Sequence, residues 1–133
     1  MNAAGGEWLI KAREDLLAVE KLAGEDALTN IAAFHAQQCA EKCLKAVLEE
    51  LEMKVPRTHD LVRLNGLVQN ACVFEWDEDI LHELSTVYLE SRYPGDLGML
   101  PQRAPQYEDI LRYQGAVKTI YEDVCRFLKN RGR

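Results

Sequence analysis

The sequence predicts an all-α fold, a four- to five-helix up-and-down bundle in a single domain spanning residues 1–133. Three observations predict it. Apolar side chains recur at spacings of three and four along four long stretches. Nothing alternates with period two for long enough to make a strand. The prolines and most of the glycines fall between the apolar stretches, where they punctuate rather than interrupt. With 133 residues, 47% of them apolar and 29% charged, the chain has ordinary globular composition. A chain of this length buries roughly two-thirds of its unfolded surface, enough for one core without disulfide or metal staples.

The first helix is expected from about Glu7, where Leu9, Ala12, Leu16 and Val19 share a face beside Trp8, and Gly24 stops it. The second is expected over Leu28 to Met53, on the order of 40 Å at 1.5 Å per residue. Ala36, Cys39, Ala40, Cys43, Leu44, Val47, Leu48 and Leu51 cover about half its circumference, more than a surface helix needs. That breadth places it at the centre of the bundle, with Gln38, Glu41, Lys42, Lys45 and Glu49 forming one polar stripe left for solvent or a partner. Gln37 falls inside the apolar arc, so its amide needs partners on another helix or another subunit.

Lys54 to Arg57 break the periodicity, and Thr58 is placed to cap a third helix from His59 to about Asn70. Cys72 to Trp76 form a short connection with buried aromatics. Asp77 is placed to cap a fourth helix, with Ile80, Leu84, Val87 and Ser91 on one stripe and Leu81 and Tyr88 beside it. Arg92 to Pro105 hold three prolines and two glycines, which makes that stretch a loop, and loops of this length in small domains are often functional. The last helix runs from about Gln106 to Asn130, with Tyr107, Ile110, Tyr113 or Gln114, Val117, Tyr121, Val124 and Leu128 facing inward.

The net charge of −6 argues against coating nucleic acid or membrane by bulk charge. Its distribution is uneven. Residues 1–91 carry 8 basic and 17 acidic side chains, while residues 92–133 carry 8 and 5. The basic residues at the end, Arg126 to Arg133, suit the negative end of a helix dipole. No apolar run approaches the roughly 18 residues of a membrane span, and the first residues lack a secretory signal pattern. Together with four sparsely placed cysteines, this points to a cytoplasmic protein with reduced thiols.

Chemistry-bearing patterns are few. His35, Cys39 and Cys43 share a helix face, but neither Cys72 nor Cys125 supplies the paired ligand a zinc site needs, so the thiols are read as core and no metal is expected. No glycine-rich phosphate loop is present and no cofactor is expected. Glu41 and Lys45 make a favourable i, i+4 pair, with Gln38 and Lys42 alongside.

The run Phe34-His-Ala-Gln-Gln-Cys-Ala-Glu-Lys-Cys-Leu-Lys-Ala-Val-Leu48 resembles the central helix of HEPN domains (higher eukaryotes and prokaryotes nucleotide-binding). Trp8 to Leu17, Pro56-Arg-Thr-His-Asp-Leu61 and Tyr88-Leu-Glu-Ser-Arg-Tyr-Pro-Gly95 follow in the family's order. The resemblance implies a helical bundle that commonly forms a two-fold dimer. Many such proteins are metal-independent RNases that pair an arginine with a histidine four to six residues further on. Others accompany minimal nucleotidyltransferases in toxin–antitoxin modules, and others only bind or assemble.

Arg92 stands at the matching arginine position, but the histidine would fall at Leu97, Gly98 or Met99. Acid–base cleavage of RNA needs a group that titrates near neutrality. The expectation is therefore a non-catalytic homodimer that binds nucleotide or RNA and partners a minimal nucleotidyltransferase. The candidate phosphate-binding residues are Lys42, Lys45, His59, Arg92 and Tyr93. The lysines and Arg92 would neutralise phosphate, Tyr93 would stack on a base, and His59 would donate a hydrogen bond. The alternatives are a divergent RNase toxin in which His59 replaces the missing histidine, and a helical assembly scaffold. The dimer is expected to use helix two or the 92–105 loop.

Overall fold

Apolar periodicity becomes five packed helices in the computed structural model, which describes residues 2–71, 74–92 and 104–131, without the side chains of 88–92. The elements are α1 (Ala3–Leu22), a 3-10 turn (Asp26–Leu28), α2 (Thr29–Glu50), α3 (Leu61–Gln69), α4 (Glu78–Arg92) and α5 (Tyr107–Arg131), with no strand among the described residues. No described helix is long and apolar enough to cross a membrane.

Helix α2 packs against each of the other four helices. Its Ala36, Cys39, Ala40, Cys43, Leu44, Val47 and Leu48 are fully buried, so the broad apolar arc is covered within one chain and calls for no second copy. The polar stripe is divided: Gln38, Lys42 and Glu49 are partly exposed, whereas Glu41 and Lys45 turn inside, contrary to the fully solvated face that the helical wheel suggests. Gln37, Glu41 and Lys45 are buried. The buried polar groups of a helix packed against four others must be satisfied by partners from within the protein.

The termini of the elements differ from the expected ones for local reasons. Helix α1 begins four residues earlier than its periodicity implies. Asn2 accepts the Gly5 N–H at 2.7 Å, while its amide donates to the Glu49 carbonyl at 2.9 Å and its backbone N–H to Glu50 at 2.7 Å. Gly5 lets the backbones close, since a Cβ there would lie 3.3 Å from Leu128 and 3.4 Å from the Ala46 carbonyl. Asp60, rather than Thr58, caps α3, its carboxylate accepting from the N–H groups of Val62 and Arg63. Thr58 instead accepts the Asp60 N–H at 3.1 Å, a turn that leads into the cap.

In α4 the inward face is Leu81, Leu84 and Val87, with Ile80 at the flank. In α5 it is Ile110, Tyr113, Val117, Ile120, Val124 and Leu128; Ile120 takes the place expected of Tyr121, and Tyr107 is exposed. The connection before α4 is pinned by aromatics. Phe74 stacks on Trp76 with centroids 4.3 Å apart and meets Phe127 edge-on, and the Trp76 indole donates to Asp123 at 2.9 Å. Cys72 and Val73 lie outside the described residues.

Candidate functional site

The polar side chains of α2 hold the connection between α2 and α3 in place. Glu41 reaches His59 through Oε1, 2.7 Å from the ring Nδ1. A carboxylate only accepts, so Nδ1 carries the hydrogen and donates. Gln37 donates to the His59 carbonyl at 2.9 Å and to Glu41 at 3.2 Å, and it accepts from Gln38 at 2.7 Å. The partners expected for the buried Gln37 amide are thus all within the chain. Lys45 donates to the other Glu41 oxygen at 2.9 Å and lies 5.6 Å from the centre of the Trp8 ring. Both the ring and the backbone of His59 are therefore anchored to the central helix, although the His59 side chain is 55% exposed.

His59 forms one wall of a pocket of about 480 Å³. Arg57, Thr58 and Asp60 line it from the same connection, and His82, Ser85 and Thr86 from α4. Two hydroxyls there are oriented by backbone groups. Ser85 accepts the Leu61 N–H at 2.9 Å, and Thr58 accepts the Asp60 N–H. A hydroxyl that accepts from the protein keeps its own hydrogen for another acceptor. Thr86, by contrast, donates to the His82 carbonyl at 3.1 Å. The pocket's donors are the Arg57 guanidinium and the Thr58 and Ser85 hydroxyls. His59, whose Nδ1 hydrogen goes to Glu41, has a second N–H only in the imidazolium form, and the wall holds one carboxylate, Asp60, whose Oδ1 is engaged in capping α3. Such a lining suits a ligand made of acceptor oxygens.

A second buried carboxylate, Asp15 on α1, joins α1 to α2. It takes Lys42 at 2.7 Å and His35 at 2.8 Å. His35 is thereby tied to α1, while Cys39 and Cys43 are buried in the core. Among the described residues, no group of three or more His, Cys, Asp or Glu side chains is arranged to hold a metal ion. Burial pushes the Cys43 thiol well above its ordinary range, and the neighbouring Cys39 adds to the shift.

A helical bundle built around one long central helix is what the resemblance of α2 implies, and the match extends over nearly the whole chain: residues 6–129 match the HEPN domain. The chain belongs to the HEPN domain family. Two solved structures share the fold of this HEPN domain. TT1696 from Thermus thermophilus is 23% identical with a TM-score of 0.72, over 95% of this chain and 98% of that one. ST0689, an archaeal HEPN homologue, is 19% identical with a TM-score of 0.67, over 96% and 99%. No curated protein matches the sequence.

Of the singled-out residues whose side chains are described, Lys42, Lys45 and His59, this HEPN domain brings His59 to the pocket. Lys42 is paired with Asp15 and 22% exposed, whereas Lys45 is paired with Glu41 and 9% exposed. Arg92 is the last residue of α4, the helix that carries His82, Ser85 and Thr86; its side chain and Tyr93 lie outside the described residues. Sequence reasoning missed Arg57, His82, Ser85 and Thr86. A signal was present: His82, Ser85 and Thr86 stand at i, i+3 and i+4, a polar face opposite Leu81, Leu84 and Val87.

Proposed function

We propose that this HEPN domain is a non-catalytic subunit that binds the phosphate of a nucleotide or RNA and partners a minimal nucleotidyltransferase in a toxin–antitoxin-like module, as a cytoplasmic homodimer. The observation that carries the reading is the donor-lined pocket built by Arg57, Thr58, His59, His82 and Ser85. Arg57 supplies a fork for two phosphate oxygens, and the Thr58 and Ser85 hydroxyls supply further donors. Arg92, the last residue of α4, would add a guanidinium to this set, and Tyr93 a stacking ring. Lys42 is held by Asp15, so its charge is compensated and the phosphate contact falls to the other residues. Lys45 acts at a distance, neutralising the carboxylate that orients His59. In the dimer, the surface left for a second copy includes the exposed Leu28 and Ile31 at the start of α2; residues 93–103, the other expected contact, lie outside the described residues.

The absence of histidine at 97, 98 and 99 supports binding without turnover. One observation favours the RNase alternative: two histidines line one pocket, and one is oriented by a buried carboxylate, the supports an acid–base pair requires. Fluorescence anisotropy with labelled mononucleotide and short single-stranded RNA, beside a metal-free cleavage assay, tests these readings. Binding without cleavage, weakened about tenfold by Arg57→Gln, is the expected result. Cleavage abolished by His59→Gln and by His82→Gln would establish the RNase, and no binding at all would leave an assembly scaffold.

A further inference from the structure

Beside the His59 pocket lies a second cleft of about 600 Å³, lined by Lys54, Val55, Pro56, Arg57, Arg63 and Leu67. Arg57 lines both. Lys54, Arg57 and Arg63 are exposed, and among the described residues none of the three is held by an ion pair. Lys42, Lys45 and Arg112, by contrast, are spent on carboxylates. Among the described residues, no carboxylate lines the cleft. The nearest acids in sequence are Glu52, which precedes the cleft, and Asp60, whose Oδ1 is engaged with the backbone at the start of α3.

Lys54 and Arg57 of the α2–α3 connection and Arg63 of α3, without an ion pair among the described residues, line one cleft in a stretch of chain, residues 1–91, where acidic side chains outnumber basic ones by about two to one. A local positive cleft in a negative surface concentrates anions where bulk charge would repel them. Its floor is apolar, formed by Val55, Pro56 and Leu67, which suits the carbon faces of sugars and bases. Among the described residues, the rings that line the two clefts are the two imidazoles of the first.

We propose that the Lys54–Arg57–Arg63 cleft is a second phosphate site, continuous through Arg57 with the His59 pocket, and that the ligand is a single-stranded phosphodiester chain rather than a mononucleotide. This rests on the phosphate reading of the His59 pocket and assigns it a neighbour. One strand lays successive phosphates across the two clefts, with Arg57 at the junction. Recognition is through charge and donors, and independent of base sequence.

The test compares a nucleoside monophosphate with a labelled single-stranded RNA of about ten residues, on the full chain and on Lys54→Gln/Arg63→Gln, both positions being exposed. The expected result is that the double variant binds the oligonucleotide about twentyfold more weakly, roughly fivefold for each exposed cation removed, and binds the monophosphate as the wild type does. Its log–log salt slope for the oligonucleotide falls by about 1.4, or 0.7 for each single-strand phosphate that a cation no longer neutralises. Arg57→Gln weakens both ligands. If the monophosphate binds and needs Arg57, while oligonucleotide affinity is unchanged in the double variant, the second cleft is overturned and the first stands. If the wild type binds neither ligand, the pocket reading fails and this inference with it. A poly-glutamate peptide that binds more tightly than the RNA, and loses affinity in the double variant, would make the cleft a docking site for acidic protein and overturn the proposal.

Discussion

His59 and Glu41 are joined by a 2.7 Å hydrogen bond between Nδ1 and Oε1, although the imidazole is half-exposed and the carboxylate is buried. The bond crosses from the outside of the bundle to its central helix. It makes a pocket wall out of a connection that has no helix of its own. Lys45, on the second Glu41 oxygen, balances a charge that would otherwise be costly to bury. The three residues therefore work as one unit, and the run Gln37-Gln-Cys-Ala-Glu-Lys-Cys-Leu-Lys45 has a structural purpose before it has any ligand.

That unit gives the first prediction. Glu41→Ala leaves the Lys45 ammonium buried without its counter-charge, a situation that costs about 3–5 kcal/mol. Urea unfolding should show a loss of that size. The double variant Glu41→Leu/Lys45→Met removes both charges and should recover most of the loss, because an apolar pair of similar volume is often neutral or better. If the double variant is no more stable than Glu41→Ala, the loss came from freeing His59 and Gln37 instead.

A second clamp, between α4 and α5, governs acid stability. Arg112 donates to both oxygens of Glu83, at 2.7 and 3.4 Å, and the buried Tyr113 hydroxyl donates to Glu83 at 2.8 Å. The Arg112 hydrogen bonds hold the Glu83 carboxyl below its ordinary value of 4.5, outweighing the opposing effect of burial, and Tyr113 assists. Burial and the Glu83 carboxylate push the Tyr113 phenol upward. A depressed carboxyl contributes stability that is complete above its unfolded value and is lost as pH falls through its folded one. The difference in melting temperature between wild type and Glu83→Gln should thus be largest near neutrality and close below about pH 4.5. A difference that stays constant down to pH 3 would mean that Glu83 acts through shape rather than charge.

The thiols provide a third. Cys39 and Cys43 are fully buried, and burial raises the Cys43 and Cys125 thiols, lowering the reactive thiolate fraction. Alkylation at pH 8 followed by peptide mapping should leave Cys39 and Cys43 unmodified in the native protein and modify them in urea. A chelator should not change the melting temperature, because His35 is bonded to Asp15 and stability does not draw on a zinc ion at that face. Rapid native labelling of Cys43 would mean that α2 opens readily.

The bundle is legible in the sequence because burial follows helical period: Leu9, Ala12, Leu16 and Val19 are all buried at the spacing the pattern requires. The start of α1 is not. Ala3-Ala-Gly-Gly6 has weak local preference for helix, and its structure comes from Asn2 bonding to the far end of α2 and from Gly5 packing on Ala46. The spacing of Glu41 and Lys45 announces their pairing but not their burial, since the sequence of α2 does not state how many neighbours surround it. The pocket is half legible. His59 stands out as a lone imidazole after a break, whereas Ser85 and Arg57 are ordinary surface residue types whose meaning depends on α3 and α4 being adjacent.

The end of α2 carries the last prediction. The N–H of Glu52 donates to the Glu49 carbonyl at 3.0 Å and that of Met53 to the Leu48 carbonyl at 2.9 Å, the paired bonds of a Schellman motif. The motif requires a left-handed residue at its turn, and here that residue is Glu52, with φ of 57°. Glycine normally fills this position, because a side chain in the left-handed region costs roughly 1–2 kcal/mol. Glu52 is exposed and makes no ion pair among the described residues to offset that strain. Glu52→Gly should therefore stabilise the protein by about 1 kcal/mol, after allowing for the greater unfolded-state entropy of glycine, and raise the melting temperature by about 3–5 °C. Glu52→Ala relieves no backbone strain and should not be stabilising, which separates the conformational effect from mere removal of a charge. If both substitutions stabilise equally, the gain comes from lowering the negative charge around Glu49 and Glu50. If neither does, the turn is held rigidly enough by Leu48 and Glu49 that the left-handed residue is not where its strain resides.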